Sequence, residues 1–402
     1  MGGTKARGAL AVALAVAVAH GLNDAYSAFL HPLLPRIMQK LDLSIALAAV
    51  LATTLSLAAS LLQPVMGWVA DRGRRRIFVV IGPLFSAVFM SLIGVAPSFV
   101  VLAILLALGG LGSAAFHPPG ASMAARVSEG RGSGMRYSLF SFGGSLGYAL
   151  GPLIAVAMVA AFGLHRLWLA MIPMLVVAPA LLLMLPRAEA RPDTAPPTLR
   201  GVASLLRGPL GVVFGISALS TFVQRVFLTM EPISASAAGA SEAVGAIGLS
   251  VYLAGQAAGS LMGGWLADRM DRRALLTGLT LASLPAHVAA IALAPGSLPA
   301  IAAAVVAGCM SMALVPPIVV IAQEIMPTGA AVGSGIVMGL AWAAGSIGVL
   351  GTGVLGDIIG ARNAALVCTP AILGATLLTL HPALRAHGRP ITFGSGPALE
   401  PR

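Results

Sequence analysis

A chain of 402 residues has the length of two or three soluble domains at roughly 150 residues each, but its composition excludes them. Hydrophobic residues make up 58% and charged residues 9%, against about 25% charged in an average soluble chain. The 24 Lys+Arg and 13 Asp+Glu cannot clothe a water-facing surface, so lipid is the solvent for most of the chain. A soluble enzyme, a disordered protein and a nucleic-acid binder are all excluded, and the net charge of +11 belongs to membrane-protein loops. Cys309 and Cys368 lie in apolar stretches and offer neither a disulfide framework nor a CxxC pair.

Twelve apolar segments are bounded by charge, Gly or Pro: 9–35, 44–70, 77–96, 98–124, 136–162, 166–186, 209–236, 243–267, 274–294, 297–323, 330–356 and 362–381. Each meets the roughly 20 residues that a bilayer core needs. All are expected to be helices, because a lipid-exposed backbone must satisfy its own hydrogen bonds. The first begins like a signal peptide, with Lys5 and Arg7 before it and Ala17-Val18-Ala19 as a cleavage-like site. Its apolar character runs on to Leu34, so it is expected to be a retained span.

Span 1 carries His20, Asp24, Ser27 and His31 at i, i+4, i+7 and i+11, one helical face, with Asn23 beside it. Asp24 lies about 15 residues in, near mid-depth at 1.5 Å per residue. An acid there costs roughly 2.5–3.5 kcal/mol on insertion scales. That cost marks Asp24 as a candidate proton carrier, with His20 beside it; the alternative is a structural Asp neutralised by a fixed partner. Span 2 ends in Gly67-x-x-x-Asp71-Arg72, followed by Arg74, Arg75 and Arg76. A small residue allows close helix approach. The acid among bases can hold two bundles together in one conformation and release them in another; the bland alternative is a solvated basic loop.

In span 4, Phe116-His117-Pro118 is expected to kink, and His117 is either a titrating cavity group or a histidine satisfied by carbonyls that the prolines free. In span 5, SFGGSLGYALGPL (141–153), Gly143, Gly147 and Gly151 recur every four residues as a bare stripe. Pro152 then removes a backbone donor and is expected to bend the helix. In span 7, Arg225 lies near the depth of Asp24, and Thr221, Gln224 and Glu231 share a face. Arg225 is a counter-ion for Asp24 or a receptor for an anionic substrate. Glu231, nearer the outer end, is a second proton-coupling candidate or an interfacial group. His287 in span 9 reads as structural.

The two halves overlay as an internal repeat. GWVADR at 67–72 recurs as GWLADR at 264–269, an offset of 197, with Gly264, Asp268, Arg269 and then Arg272 in the second copy. Phe116-His117-Pro118-Pro119 meets Leu314-Val315-Pro316-Pro317 at 198, and Gly147 meets Gly345 at the same shift. Parallel repeats related by an axis along the membrane normal place a binding site between them near the midplane. The expected domains are a six-helix bundle over 1–186, a Pro-rich basic cytoplasmic linker over 187–208, a second bundle over 209–382 and a tail over 383–402. Nineteen of the 24 Lys+Arg fall on the N-terminal side of the membrane, four on the other, and Arg225 within a span. Basic residues collect in cytoplasmic loops, so both termini are expected in the cytoplasm.

The paired loop motif resembles the signature of the major facilitator superfamily, departing from it at Gly73 and Asp271. Gly147-x-x-x-Gly151-Pro152 is similar to the helix 5 motif of that superfamily's proton-driven exporters. More narrowly, His20-x-x-Asn23-Asp24, Ser60-Leu61-Leu62-Gln63-Pro64, Phe116-His117-Pro118 and Ser138-Leu139-Phe140 with Gly143-Gly144 resemble the bacterial fosmidomycin resistance protein family. The narrower resemblance lies in the first 152 residues; the broader one covers the chain. It implies an inner-membrane exporter that exchanges a drug or metabolite for protons by alternating access. It points to His20, Asn23, Asp24, Gln63 and His117 as cavity positions. Two departures matter: Pro119 stands where the family often has Glu, and Leu106 where broader drug exporters carry Arg. Arg225 is the candidate to supply that missing positive charge.

The expectation is therefore an all-α membrane protein of major facilitator fold, with twelve spans in two pseudo-symmetric bundles. It is expected to be no enzyme, since no spaced metal motif such as HExxH and no nucleophile arrangement occurs. The function expected is proton antiport that confers efflux and drug resistance; the alternative is a proton-coupled importer of a small anion or polar metabolite. Expected partners are a small-molecule substrate, protons and the bilayer, with no cofactor, metal or nucleic acid, and a monomeric state. Few aromatics (5%), buried Arg225 and three intramembrane histidines favour an anionic or polar cargo such as a phosphonate.

Overall fold

The computed structural model describes residues 2–72, 75–127, 133–186, 204–326 and 330–387. Among these, twelve helical spans are long and apolar enough to cross a membrane: Leu10–Leu41, Ile45–Ala70, Arg75–Val95, Phe99–Ala124, Leu139–Phe162, Leu164–Met184, Pro209–Ala237, Glu242–Ala267, Arg272–Ala292, Leu298–Ile325, Val332–Ile359 and Ala361–Thr379. No strand occurs among the described residues. Parts of the expected linker (187–203) and tail (388–402) lie outside them, as do Gly73 and Arg74.

The twelve spans fall on the twelve expected segments. The largest difference is at the end of span 1, where Arg36 and Lys40 were expected in a connection. Both instead ride the helix Leu30–Leu41. Lys40 Nζ donates to the carbonyls of Gly94 and Ala96 (2.9 and 2.8 Å).

Prolines break several spans. Span 1 is two helices, Gly2–Ser27 and Leu30–Leu41. Pro32 has no N–H, and its ring clashes with the carbonyl four residues earlier, at Ala28, where the helix stops. Span 2 divides into Ile45–Leu61 and Gln63–Asp71 beside Pro64, and span 10 into Leu298–Ala313 and Val315–Ile325 at Pro316-Pro317. Span 11 carries a π-helical turn, Ile336–Leu340. Phe99–Val127 and Ser133–Phe162, by contrast, run unbroken through Pro118-Pro119 and Pro152. The expected bends there do not interrupt the helices.

The repeat is visible in the packing. A Cβ at Gly147 would strike the Gly21 backbone, and one at Gly345 would strike that of Ala218. Gly21 and Ala218 differ by the same 197 residues as the loop motif. Gly143 and Gly151 lie equally close to the carbonyls of Ala17 and Ala25, so the span 5 stripe rests on the backbone of span 1. Small residues drive such close packing where lipid offers no hydrophobic contrast.

The halves meet chiefly along span 2 against span 11 and span 5 against span 8. We call the face that carries the N-terminus proximal and the other distal. On the distal face Arg36 Nε donates to Glu242 Oε1 (2.5 Å). There too the Asp357 carboxylate accepts from the amides of Ile45 (2.6 Å) and Ala46 (3.2 Å) at the start of span 2. These two contacts join the halves on the distal face, whereas the proximal pair Arg272–Glu324 lies within the second half.

Candidate functional site

The break in span 1 leaves Asp24 one turn from the end of its helix, and three spans converge on it. Its Oδ2 lies 3.2 Å from His20 Nε2, and its Oδ1 lies 3.3 Å from His117 Nε2 of span 4. Asn23 is fully buried and donates from Nδ2 to Asp24 Oδ1 (2.9 Å). Asn23 is itself fixed: Ser86 of span 3 donates to its Oδ1 (2.9 Å), and its Nδ2 also reaches Ser113 Oγ (3.4 Å). The His20 ring stacks on Phe140 at 4.2 Å, and the bare Gly144 leaves room for it.

Hydrogen positions follow from the partners. His20 Nδ1 lies 2.8 Å from the Phe140 carbonyl and His117 Nδ1 2.8 Å from the Ser113 carbonyl. A carbonyl only accepts, so both Nδ1 atoms carry the hydrogen. In the neutral imidazole the other nitrogen is then a bare acceptor. Both bare nitrogens face carboxylate oxygens, which are acceptors too. Each contact needs a proton between its atoms. The trio carries one negative charge with no added proton, none with one, and one positive charge with two. The Ser113 carbonyl is not among those that Pro118 and Pro119 free, so the expected structural explanation of His117 does not apply. The three ligand atoms lie within 4.8 Å of one another, a spacing that a tetrahedral metal ion also accepts.

The other expected site residues stand apart. Arg225 does not pair with Asp24. Its Nη1 donates a long bond to the Tyr148 hydroxyl (3.5 Å), and its Nε is buried without a partner. The counter-ion expectation is thereby corrected: histidines and Asn23 fill the space around the acid. His31 falls beyond the break, off the Asp24 face, with Nε2 buried and unpartnered. Gln63 Nε2 bonds its own helix at Ala59 (2.9 Å), and half-buried Gln224 joins no part of the Asp24 cluster. Glu231 lines a separate cavity toward the distal face, with Phe227, Ser234 and Gly248. Its Oε2 is buried and unpartnered.

At the proximal face the repeat carries a feature that the sequence reading passed over. Arg72 lies over the Trp68 ring (3.5 Å to the centroid) and Arg269 over Trp265 (4.4 Å). Both are cation–π pairs one helical turn long, and the tryptophans are 197 residues apart. Arg75 is buried at the start of span 3, and Arg76 is half-buried. Buried Arg272 pairs with Glu324 (2.5 Å), while Asp268 stands exposed. Asp271, where the second motif departs from the usual pattern, caps span 9 by accepting from the Ala274 amide (2.8 Å). Gly264 is not the packing glycine expected: a Cβ there would meet only Pro316, at 4.0 Å, whereas one at Gly263 would strike the Ala313 carbonyl. The Gly67 position and the Asp71 side chain lie outside what is described.

A second polar cluster occupies the other half. Tyr252 Oη lies 3.1 Å from His287 Nε2 and 3.1 Å from Ser311 Oγ. His287 Nδ1 donates to the Ser283 carbonyl (2.8 Å). Ser283 and Ser311 stand 197 and 198 residues after Ser86 and Ser113. Applying the repeat offset to every serine would have found this pair.

Twelve spans in two halves that share loop and packing motifs, around a half-buried acid, are the architecture of a polytopic membrane protein. The model of the Major Facilitator Superfamily matches residues 16–229 and 210–398. The chain belongs to that superfamily; it is a transporter of small molecules in a membrane, not an enzyme. It is 30% identical over 368 residues to the uncharacterized MFS-type transporter YfnC of Bacillus subtilis, covering 87% of each chain. It is 28% identical over 368 residues to the fosmidomycin resistance protein of Escherichia coli, covering 88% of each. Among solved structures it resembles a bacterial homolog of the human lysosomal transporter Spinster in an inward-facing, occupied conformation. That match has a TM-score of 0.77 at 18% identity and covers 94% of this chain and 97% of that one. The nucleoside transporter NupG aligns with a TM-score of 0.78 at 12% identity, covering 92% and 98%.

Proposed function

We propose that this chain is a proton-coupled antiporter of the bacterial inner membrane, exporting a drug or small polar or anionic metabolite by alternating access. The observation that carries the reading is the trio of His20, Asp24 and His117. Its facing acceptors make a site that gains or loses protons at mid-depth. Net charge there sets which conformation is cheaper, and the membrane potential adds about 2.3 kcal/mol per charge per 100 mV. With the proximal face taken as cytoplasmic, the distal contacts of Arg36–Glu242 and Asp357 form the closed outer gate of a cargo-loading state. Cargo binding and gate opening would then expose the trio to external protons. Relatedness to a protein named for fosmidomycin resistance supports export, since resistance follows from lowering the internal drug level. No cofactor is invoked; the proton gradient is the energy source. One chain supplies both halves, so the proposed working unit is the monomer.

A growth-inhibition panel across drug classes, with and without expression, identifies a cargo. Flux in inverted vesicles under an imposed pH gradient then gives the direction. Export is expected to concentrate cargo inside such vesicles when their lumen is acid; release of preloaded cargo under that gradient would reverse the assignment to import. Metal analysis of purified protein checks the competing occupant, and a stoichiometric bound metal would displace the proton reading.

A further inference from the structure

We propose that Arg225 and Tyr148 form an oxyanion-binding subsite at the seam between the halves, distinct from the Asp24 cluster and one turn of span 5 away from it. The proposal deepens the transporter reading above and rests on it.

Arg225 is a permanent cation placed mid-span, where an unpaired charge is expensive. Among the described residues no carboxylate pairs with it; its one hydrogen bond is the 3.5 Å contact to Tyr148, and its Nε is buried and idle. It lines a narrow cleft with the hydroxyl residues Thr53 and Ser56 of span 2, Thr229 of span 7 and Ser346 of span 11. Both halves contribute, and no acid does. His31, 4% exposed, has its Nε2 buried and unpartnered. A half-buried cation lined by hydroxyls, its Nε idle, lacks only a counter-charge. The guanidinium fork matches the two oxygens of a carboxylate, phosphate or phosphonate. An organic cation would meet like charge there. The fitting ligand is a small molecule with one oxyanion head group.

The same helix serves both sites. Span 5 presents Gly144 to the His20 ring and, four residues on, Tyr148 to Arg225. An anion that draws on Tyr148 therefore acts on the helix that bounds the proton cluster. Cargo and protons communicate through span 5 without sharing a carboxylate.

The test uses purified full-length protein, with methylphosphonate, inorganic phosphate and acetate as probes. Chloride and tetramethylammonium serve as controls at matched pH and ionic strength. The thermal midpoint is expected to rise saturably with at least one oxyanion and with neither control. Arg225→Gln should abolish the rise and, by removing an unpaired mid-span charge, raise the midpoint of the ligand-free protein. Tyr148→Phe should weaken apparent affinity about fivefold, the worth of one hydrogen bond. Arg225→Lys, which keeps the charge and loses the fork, should respond weakly, and it replaces the Gln variant if that one fails to fold. Asp24→Asn should keep a saturable response at a shifted affinity, because proton and cargo sites are coupled reciprocally. An unresponsive wild type, a response kept in Arg225→Gln, or a response lost in Asp24→Asn overturns the proposal. Proton coupling is read separately, by uphill export of Asp24→Asn, so either claim can fail without the other.

Discussion

The two halves place serines at the same repeat positions and build different chemistry on them. In the second half, one assignment of neutral hydrogens satisfies a complete chain. Ser311 donates to the Tyr252 oxygen, Tyr252 to His287 Nε2, and His287 Nδ1 to the Ser283 carbonyl. In the first half, Ser86 and Ser113 hold Asn23, and Asn23 holds an acid whose two histidine contacts are both acceptor against acceptor. At the offset of 197, Asp24 corresponds to Thr221 and His20 to Ser217. The contrast teaches that burial of a polar cluster does not make it a proton site. What matters is whether its hydrogen bonds close without added protons: the second cluster closes and pins helices, and the first does not.

Breaking the contrast should have unequal effects. Asp24→Asn removes the proposed proton carrier while keeping the shape, so uphill export is expected to vanish with the thermal midpoint nearly unchanged; vesicle flux and melting curves check both. Gly144→Ala places a methyl group where the His20 ring sits, and export should fall more than tenfold with cargo affinity largely kept, as flux and binding assays would show. His287→Leu removes two hydrogen bonds from the other cluster and leaves the Tyr252 hydroxyl only Ser311, at about 0.5–1.5 kcal/mol for each bond lost. The transporter should melt earlier, yet the ratio of protons to cargo should hold; a changed ratio would make the second cluster part of the coupling.

Asp357→Asn keeps a neutral cap but drops the charge on the span 2 amides, a change of about 0.3–1 kcal/mol at a helix N-terminus. Distal positions should become modestly more reactive to a thiol reagent once cysteines are introduced there. Smallest of all, Thr221→Asp on the Asp24→Asn background should restore no export, because no histidine pair faces residue 221.

Much of this was legible before any coordinates. Long apolar runs allow only helices, and a constant offset exposes the repeat, so the twelve spans and their pairing stood out. His20, Asn23, Asp24 and His117 were visible as polar residues at costly depth. Their convergence was not, because His117 belongs to another span and proximity between spans has no local signal. Ser86, Ser113 and Tyr148 are unremarkable residue types and drew no notice until their partners were seen. The break in span 1 was readable from Pro32, but the helical spacing of His31 concealed it. The periodic face assumed one continuous helix, and the missing Pro32 amide ends it at Ala28. The motif repeat marks Gly264, whereas packing is decided by which side faces span 10, and that is Gly263.

Proton movement driven by cargo alone tests the central claim most directly. Proteoliposomes are loaded with an identified cargo and a pH-sensitive dye, then diluted into cargo-free medium at equal pH. Cargo efflux through the wild type should acidify the lumen, and Asp24→Asn should leave it unchanged. Efflux from the wild type with no change in lumenal pH, or acidification of equal size in Asp24→Asn, would contradict the account.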